Sequence, residues 1–453
     1  MSKGWFHKQS KNWLETILLE RLGVKMQLIP ASLGWLRIAI DGSEQYIEVA
    51  LNQEHFTNSH SDLPCPYWDC RADGFSTPTG MPLPAPGAPS LPPSIIEKTR
   101  HGYRIHYDFL GFCYWMLSRT EEVGRRDLDE HDRFPAKHSH ALHHGYLERP
   151  VVDEWLEVFK HVAQRVWPQM TFKSHQFKIC LSHDVDLPSR YGFLNPLGIG
   201  RAMIGDVVRH GDIWSALKAP YIAMTSSKSL SPHDPCNTFN WMMDVSEARG
   251  LKSAFYFICG RTDKKNDAAY DPSHLAIRKL MREIHHRGHE IGLHPSYNTY
   301  CEPELLTQEA KTLMQIAEQE GIRQECWGGR MHVLRWAHPN TIYGWLAADM
   351  DYDATLGYAD HTGFRAGTAF DYPAFDPVKG KILAVRLKPL VVMECTVIAP
   401  RYMGLGNGIA AFDKITQLKN TTRSVGGNFT LLWHNSHYRS RNERELYRAV
   451  IDH

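Results

Sequence analysis

Apolar residues recur at helical steps over residues 12–22. Trp13, Ile17, Leu18 and Leu22 share one face there, and Gly23 supplies a stop. Short runs at 25–29, 36–40 and 46–51 predict strands, and Asp41-Gly42 marks a turn between the last two. Residues 1–63 therefore read as a small α+β unit. The pattern then breaks. Nine prolines fall between Pro64 and Pro93 in a stretch rich in Gly, Ser and Thr, so 64–100 reads as an extended linker or loop. A further region spans 101–172. Its aromatics between Tyr103 and Trp115 read as core filling, with a sugar-stacking surface as the alternative. Residues 127–144 are polar, carry five histidines and read as a surface loop without a role. A helix over 151–167 places Val152, Trp155, Phe159, Val162 and Val166 on one side.

From residue 177 strand-like and helical patterns alternate. Strands are expected at 177–182, 253–258, 290–293 and 428–433, and helices at 237–249, 308–320 and 340–350. A further helix begins at a Ser273 cap and carries Leu275, Leu280, Met281 and Ile284. This alternation predicts an α/β fold with a mainly parallel sheet or barrel over 177–453. Active residues in such folds gather at the carboxyl ends of strands. Asp184, Asp186, His294 and His434 each stand where an expected strand ends.

Bulk properties narrow the function classes. A chain of 453 residues suggests two or three domains. The formal net charge of +1 gives no electrostatic case for nucleic acid or for an anionic membrane. Nine scattered cysteines without a Cys-x-x-Cys pair fit reduced thiols. No apolar run reaches membrane-spanning length, and residues 1–22 lack the pattern of a secretory leader, so a cytoplasmic location and no integral membrane segment are expected.

Acidic groups crowded at a strand end need a cation or a proton to compensate them. One Asp with one or two His makes an open divalent site, and a neighbouring carboxylate and imidazole supply a base and an acid. Metal-assisted hydrolysis of an amide or ester is the reaction these parts fit. A two-carboxylate glycosidase fits less well, because no second isolated carboxylate stands out.

Ser182-His183-Asp184-Val185-Asp186, together with Gly288-His289-Glu290-Ile291-Gly292-Leu293-His294-Pro295-Ser296, resembles the polysaccharide deacetylases of carbohydrate esterase family 4, the NodB-homology group. The resemblance covers about residue 177 to the C-terminus. Residues 108–167, with Arg133-Phe134-Pro135 and Arg149-Pro150-Val151-Val152-Asp153, are similar to the uncharacterised region that precedes the barrel in one branch of that family. The resemblance implies a distorted (β/α) barrel and a divalent metal: zinc, or cobalt, nickel or manganese. It implies removal of N-acetyl groups from an acetamido sugar, so that carbohydrate is the expected partner. By the same carry-over Asp184 is the base, Asp186 and His294 are metal ligands, and His434 is the acid. Either Arg330 or Arg335 orients the base, and residues 364–368 line a groove.

The chain departs from the family at the second metal histidine. That position is Asn298, whose oxygen can ligate, with His332 or Ser296 as substitutes. The departure leaves two rival readings: a weak or inactive carbohydrate-binding relative, and a cyclic-amide hydrolase on the same fold. His289 is expected to pack or cap, His183 to point away from the site, and Trp327, Trp336 and Trp433 to belong to the core. Glu394 is a candidate partner behind the site.

Overall fold

The computed structural model describes residues 4–32 and 34–452. The chain opens with helix Lys8–Leu22, stopped by Gly23 in the left-handed region at φ 71°. Strands β1 (Gln27–Pro30), β2 (Trp35–Ala39) and β3 (Tyr46–Ala50) follow as an antiparallel meander. Short strands β4 (Tyr67–Trp68) and β5 (Leu83–Pro84) pair within the proline-rich stretch. Then come β6 (Ile96–Thr99) and β7 (Gly102–Ile105), and β7 pairs parallel with β3. The expected break between 1–63 and 101–172 is therefore absent, because both halves contribute to one sheet of order β1-β2-β3-β7-β6. Nor is the proline-rich stretch a free linker. Leu83 and Ala85 are buried, and Trp68 stacks on Trp155 of helix Val151–Val166. The dense aromatics are core: every residue of helix Phe109–Leu117 is buried.

The second sheet has nine strands: β8 (Lys178–Val185), β9 (Ser253–Phe257), β10 (Glu290–Leu293), β11 (Gly328–Gly329), β12 (Tyr352–Asp353), β13 (Tyr372–Asp376), β14 (Lys381–Leu387), β15 (Val392–Met393) and β16 (Asn428–Leu432). Their order is β13-β14-β12-β11-β10-β9-β8-β16-β15, and all pairs except β13–β14 are parallel. The fold is thus mixed α/β with a mainly parallel sheet. A closed barrel was expected, yet among the described residues no strand pair closes the ends. Instead residues 388–391 bridge the gap: the backbone N–H of Leu390 donates to Leu356 and that of Val391 to the Thr430 hydroxyl. Helix Leu275–His286 is capped by His274 rather than by the expected Ser273. Among the described residues no helix is long and apolar enough to cross a membrane.

Strand alternation decides what the curled sheet encloses. On β8, Ile179, Leu181, His183 and Val185 are buried among apolar neighbours, while Cys180, Ser182 and Asp184 take the other face. That face aligns Asp184 with Tyr256 on β9, and Tyr256 with Gly292 on β10. A Cβ on Gly292 would lie 2.5 Å from the Tyr256 ring and 2.6 Å from the Gly328 carbonyl, so only glycine admits both.

The two sheets share one apolar core. Trp13 of the first helix stacks on Phe375 of β13 with ring centroids 4.8 Å apart. Buried charged groups of the N-terminal region also reach across to the second sheet's connections. Glu122 accepts from Arg365 and Arg119, and Asp153 accepts from Arg21 at 2.7 Å and from the backbone of Ala369. Residues 364–368, expected to line a groove, are thereby buried against the N-terminal region. Residues 127–144 are not a free surface loop either, because Arg133, Phe134, Ala136 and His140 are buried.

Burial disfavours charge on Glu122, but Arg365 and Arg119 hold its carboxyl down at about 2. That value lies below its ordinary one, so the linked stability is fully present above about pH 4.5 and drains away as pH falls towards 2. Glu122→Ala leaves the buried Arg365 guanidinium without a carboxylate and Arg119 with Glu121 alone. It is expected to cost about 3–5 kcal/mol in denaturant unfolding at neutral pH, and a loss under about 1 kcal/mol would contradict this account of the interface.

Candidate metal and acid–base site

The site forms where β8, β10, β11 and β16 end. Asp184 is the penultimate residue of β8 and is buried. Its Oδ1 accepts from Arg330 Nη1 at 2.8 Å, and its Oδ2 lies 3.8 Å from His294 Nε2. Arg330, just past β11, also donates from Nη2 to Ser182 Oγ at 2.8 Å and from Nε to the Ala354 carbonyl at 3.0 Å. Burial works against its charge, but Asp184 outweighs that and strengthens its hold on the proton. Of the two candidate arginines, Arg330 therefore takes the place beside Asp184. Arg335 instead donates to the His131 and Tyr297 carbonyls and to Asp132, and lies over the rings of Tyr297 and Tyr300. It fastens residues 131–132 of the N-terminal region beside the site.

Asp186 lies one residue past the end of β8. Its Oδ1 is 3.2 Å from His294 Nε2 and 3.8 Å from His332 Nε2, and its Oδ2 is 3.6 Å from His434 Nε2. Burial disfavours its charge, yet the three imidazoles hold the carboxyl well below the usual range. Its Oδ1 is buried with no hydrogen-bond partner of its own.

Each flanking imidazole is oriented from behind. His294 Nδ1 donates to the Arg330 carbonyl at 2.6 Å, which leaves Nε2 facing the carboxylates. His332 Nδ1 meets Asp267 Oδ1 at 2.9 Å, and Asp267 is itself held by the backbone N–H groups of Thr262, Asp263 and Tyr297. A carboxylate behind a histidine in this way fixes the tautomer and raises basicity at the other nitrogen. His332 reaches the site through a strained turn: Val333 and Leu334 both have positive φ, at 60° and 55°. Asp186, His294 and His332 offer ligand atoms within 4.8 Å of one another. One carboxylate oxygen and two Nε2 atoms suit a divalent cation such as zinc with positions left open, and the partnerless Asp186 Oδ1 fits that use.

The structure turns Asn298 to other partners. It is exposed, its Nδ2 donates to the Thr262 carbonyl at 3.2 Å, and its Oδ1 accepts from Arg335 at 3.1 Å. Ser296 is occupied as well, by Thr262 and Glu309. Asn298, expected beside the metal, is thus not brought to the group, and His332 stands with Asp186 and His294 instead.

His434 follows β16. Its Nδ1 meets Glu394 Oε1 at 2.5 Å, and its backbone N–H donates to the same oxygen at 2.9 Å. Glu394 is fully buried at the start of helix Glu394–Ile398. Burial opposes both charges, but the pairing wins. Glu394 is held well below the usual range, and His434 well above it. His437 lies 3.0 Å from Glu394 and 3.4 Å from Cys395, and its proton is held up to about 10 against the pull of burial. Glu394, Cys395, His434 and His437 form a second group of closely spaced ligand atoms.

The remaining residues fall outside the group. His183 bonds to the Trp433 carbonyl and Ser253, and His289 to the Ser253 backbone and Glu247. Trp336 and Trp433 are core, and Trp327 is partly buried. Asp267 escaped sequence reasoning because nothing in its polar surroundings marks it. A cavity of about 880 Å³ is lined by residues on the amino halves of the strands, including Lys178, Ser253 and Glu290. Its walls reach inward to Ser182 and Arg330, the residues that stand behind Asp184.

A family of unknown function, DUF7033, matches residues 6–168. No curated protein matches the chain. Two solved structures are similar in part. One is a protein from Mycobacterium smegmatis assigned as a polysaccharide deacetylase, at 13% identity and TM-score 0.38, covering 62% of this chain and 84% of that one. The other is Puue allantoinase, at 13% identity and TM-score 0.34, covering 61% of this chain and 83% of that one.

Burial opposes a proton on His294, but Asp184 and Asp186 hold it above its usual range. A cation must displace that proton, so metal affinity falls as pH drops through the raised value. Exhaustive dialysis followed by elemental analysis is expected to strip metal from His332→Ala and to leave Asn298→Ala loaded. Loss from Asn298→Ala alone would reverse the ligand assignment.

Proposed function

We propose that the chain is a divalent-metal-dependent hydrolase of a C–N amide bond, with an N-acetylated sugar in a glycan or glycan precursor as its substrate. The observation that carries the reaction class is Asp186 flanked by separate groups: His294 and His332 on one oxygen, His434 on the other. The sugar comes from the resemblance of the motifs around Asp184 and His294.

Asp186, His294 and His332 hold the cation. When bound it supplies Lewis-acid polarisation of the amide carbonyl and makes water more acidic. Asp184 is the base: Arg330 occupies Oδ1, which leaves Oδ2 to receive a proton from water. Arg330 is a positioning residue that locks the carboxylate through Ser182 and Ala354. His434 is the acid. Glu394 keeps its imidazole protonated and fixes Nδ1, so Nε2 carries the proton that the departing amine needs. His332 answers the departure at Asn298, which favours a working site over an inactive relative. Residues 131–133 crowd one side of the site through Arg335, Tyr297 and the Val333 carbonyl. That crowding keeps a cyclic amide as the second reading, because it favours a short substrate over a long glycan.

Acetate release from acetamido sugars and ring opening of cyclic amides, measured side by side on metal-loaded protein, separate the two. The expected result is acetate release that falls at least about a hundredfold in Asp184→Asn and in His434→Ala, with the metal retained. Equal rates in Asp184→Asn would remove the assigned base, and ring opening alone would replace the sugar.

A further inference from the structure

Helices Pro196–His210 and Ile213–Thr225 follow the catalytic end of β8 and are joined at Gly211. They pack on each other through a small cluster in which Ala202, Ala219 and Ile222 are buried with Tyr191. Their bulky residues point the other way. Among the described residues, nine of the nineteen exposed large hydrophobic ones lie between Leu197 and Met224. Val208, Trp214 and Met224 are 77%, 75% and 80% exposed. Trp214, Leu217, Tyr221 and Met224 recur at three- and four-residue steps, so they share one face of the second helix. An outer face of this kind is the reverse of an ordinary surface helix.

Charge on the pair is one-sided. Arg201, Lys218 and Lys228 are exposed, and residues 187–230 contain no Glu. Of the two carboxylates present, Asp206 is buried on Arg190, Tyr191 and Arg439, and the partly exposed Asp212 caps the second helix and lies 3.6 Å from Arg439. The near-neutral balance of the whole chain conceals this local excess. Helices of 15 and 13 residues are too short to cross a bilayer, which takes about 20.

We infer that this helix pair docks the protein on an anionic lipid surface, with its apolar face in the headgroup region and its basic residues on the lipid charges. Trp and Tyr on an apolar face flanked by Lys and Arg suit that interface. A second copy of the chain fits less well, because the patch offers no fully exposed carboxylate to receive Arg201, Lys218 and Lys228 of another. The inference does not depend on what the catalytic site hydrolyses. The loop that begins at Asp186 leads into the helix pair at Pro196.

Flotation of the full-length protein with vesicles tests this. Equimolar phosphatidylcholine and phosphatidylglycerol should carry the protein, and phosphatidylcholine alone should carry far less. Leu217→Glu with Met224→Glu should weaken partitioning about tenfold or more. Lys218→Glu with Lys228→Glu should weaken it in the same direction, as should raised salt. All four side chains are exposed, so thermal unfolding and metal content should not change; if the first pair fails to fold, the lysine pair carries the test. Absence of binding to anionic vesicles would overturn the proposal, as would binding that neither pair alters. So would self-association in sedimentation equilibrium that Leu217→Glu with Met224→Glu abolishes while vesicles capture nothing.

Discussion

Two carboxylates two residues apart cannot both stay charged in a buried site unless each is compensated separately. Here the compensation is divided. Asp184 belongs to Arg330, and Asp186 belongs to three imidazoles. Much of the surrounding architecture serves that division. Gly292 leaves room for the Tyr256 ring that lies under the Arg330 guanidinium. His294 is turned by the very carbonyl of Arg330, so the group that neutralises one acid also aims the base that faces the other.

The N-terminal region is part of this arrangement. Its residues 131–133 meet Tyr297, Val333 and Arg335, which flank His294 and His332 in the chain. Farther from the site, Glu122 and Asp153 tie it to residues 365–369. Pairs this buried contribute little net stability over apolar replacements, but they fix one relative placement of the two sheets. The wall beside the candidate site is therefore set by a region that adds no side chain to the Asp186 group.

The sequence made some of this legible and left the rest hidden for physical reasons. Asp184, Asp186, His294 and His434 could be read because each ends an apolar strand, and strand ends collect chemistry in parallel sheets. Arg330 and Arg335 could not be told apart, since both are buried and multiply bonded. Only the strand register separates them. His332 depends on a turn with Val333 at positive φ, which no periodicity announces. Asp267 meets a histidine 65 residues away, so no local spacing links them, whereas Glu394 could be named because it ends an apolar run. The N-terminal unit was divided too early because its parallel β3–β7 pairing spans the proline-rich stretch. The helices at 196–225 were missed because their large apolar residues face outward, where amphipathic reasoning looks for polar ones.

The central claim is that Asp186, His294 and His332 bind a divalent cation while Glu394, Cys395 and His437 stand behind the acid. The two groups differ in one atom type, because only the second contains sulfur. X-ray absorption at the metal edge of cobalt- or zinc-loaded protein reads that difference directly. The account predicts a shell of nitrogen and oxygen with two imidazoles and no sulfur. A sulfur scatterer, or a single imidazole, would contradict it.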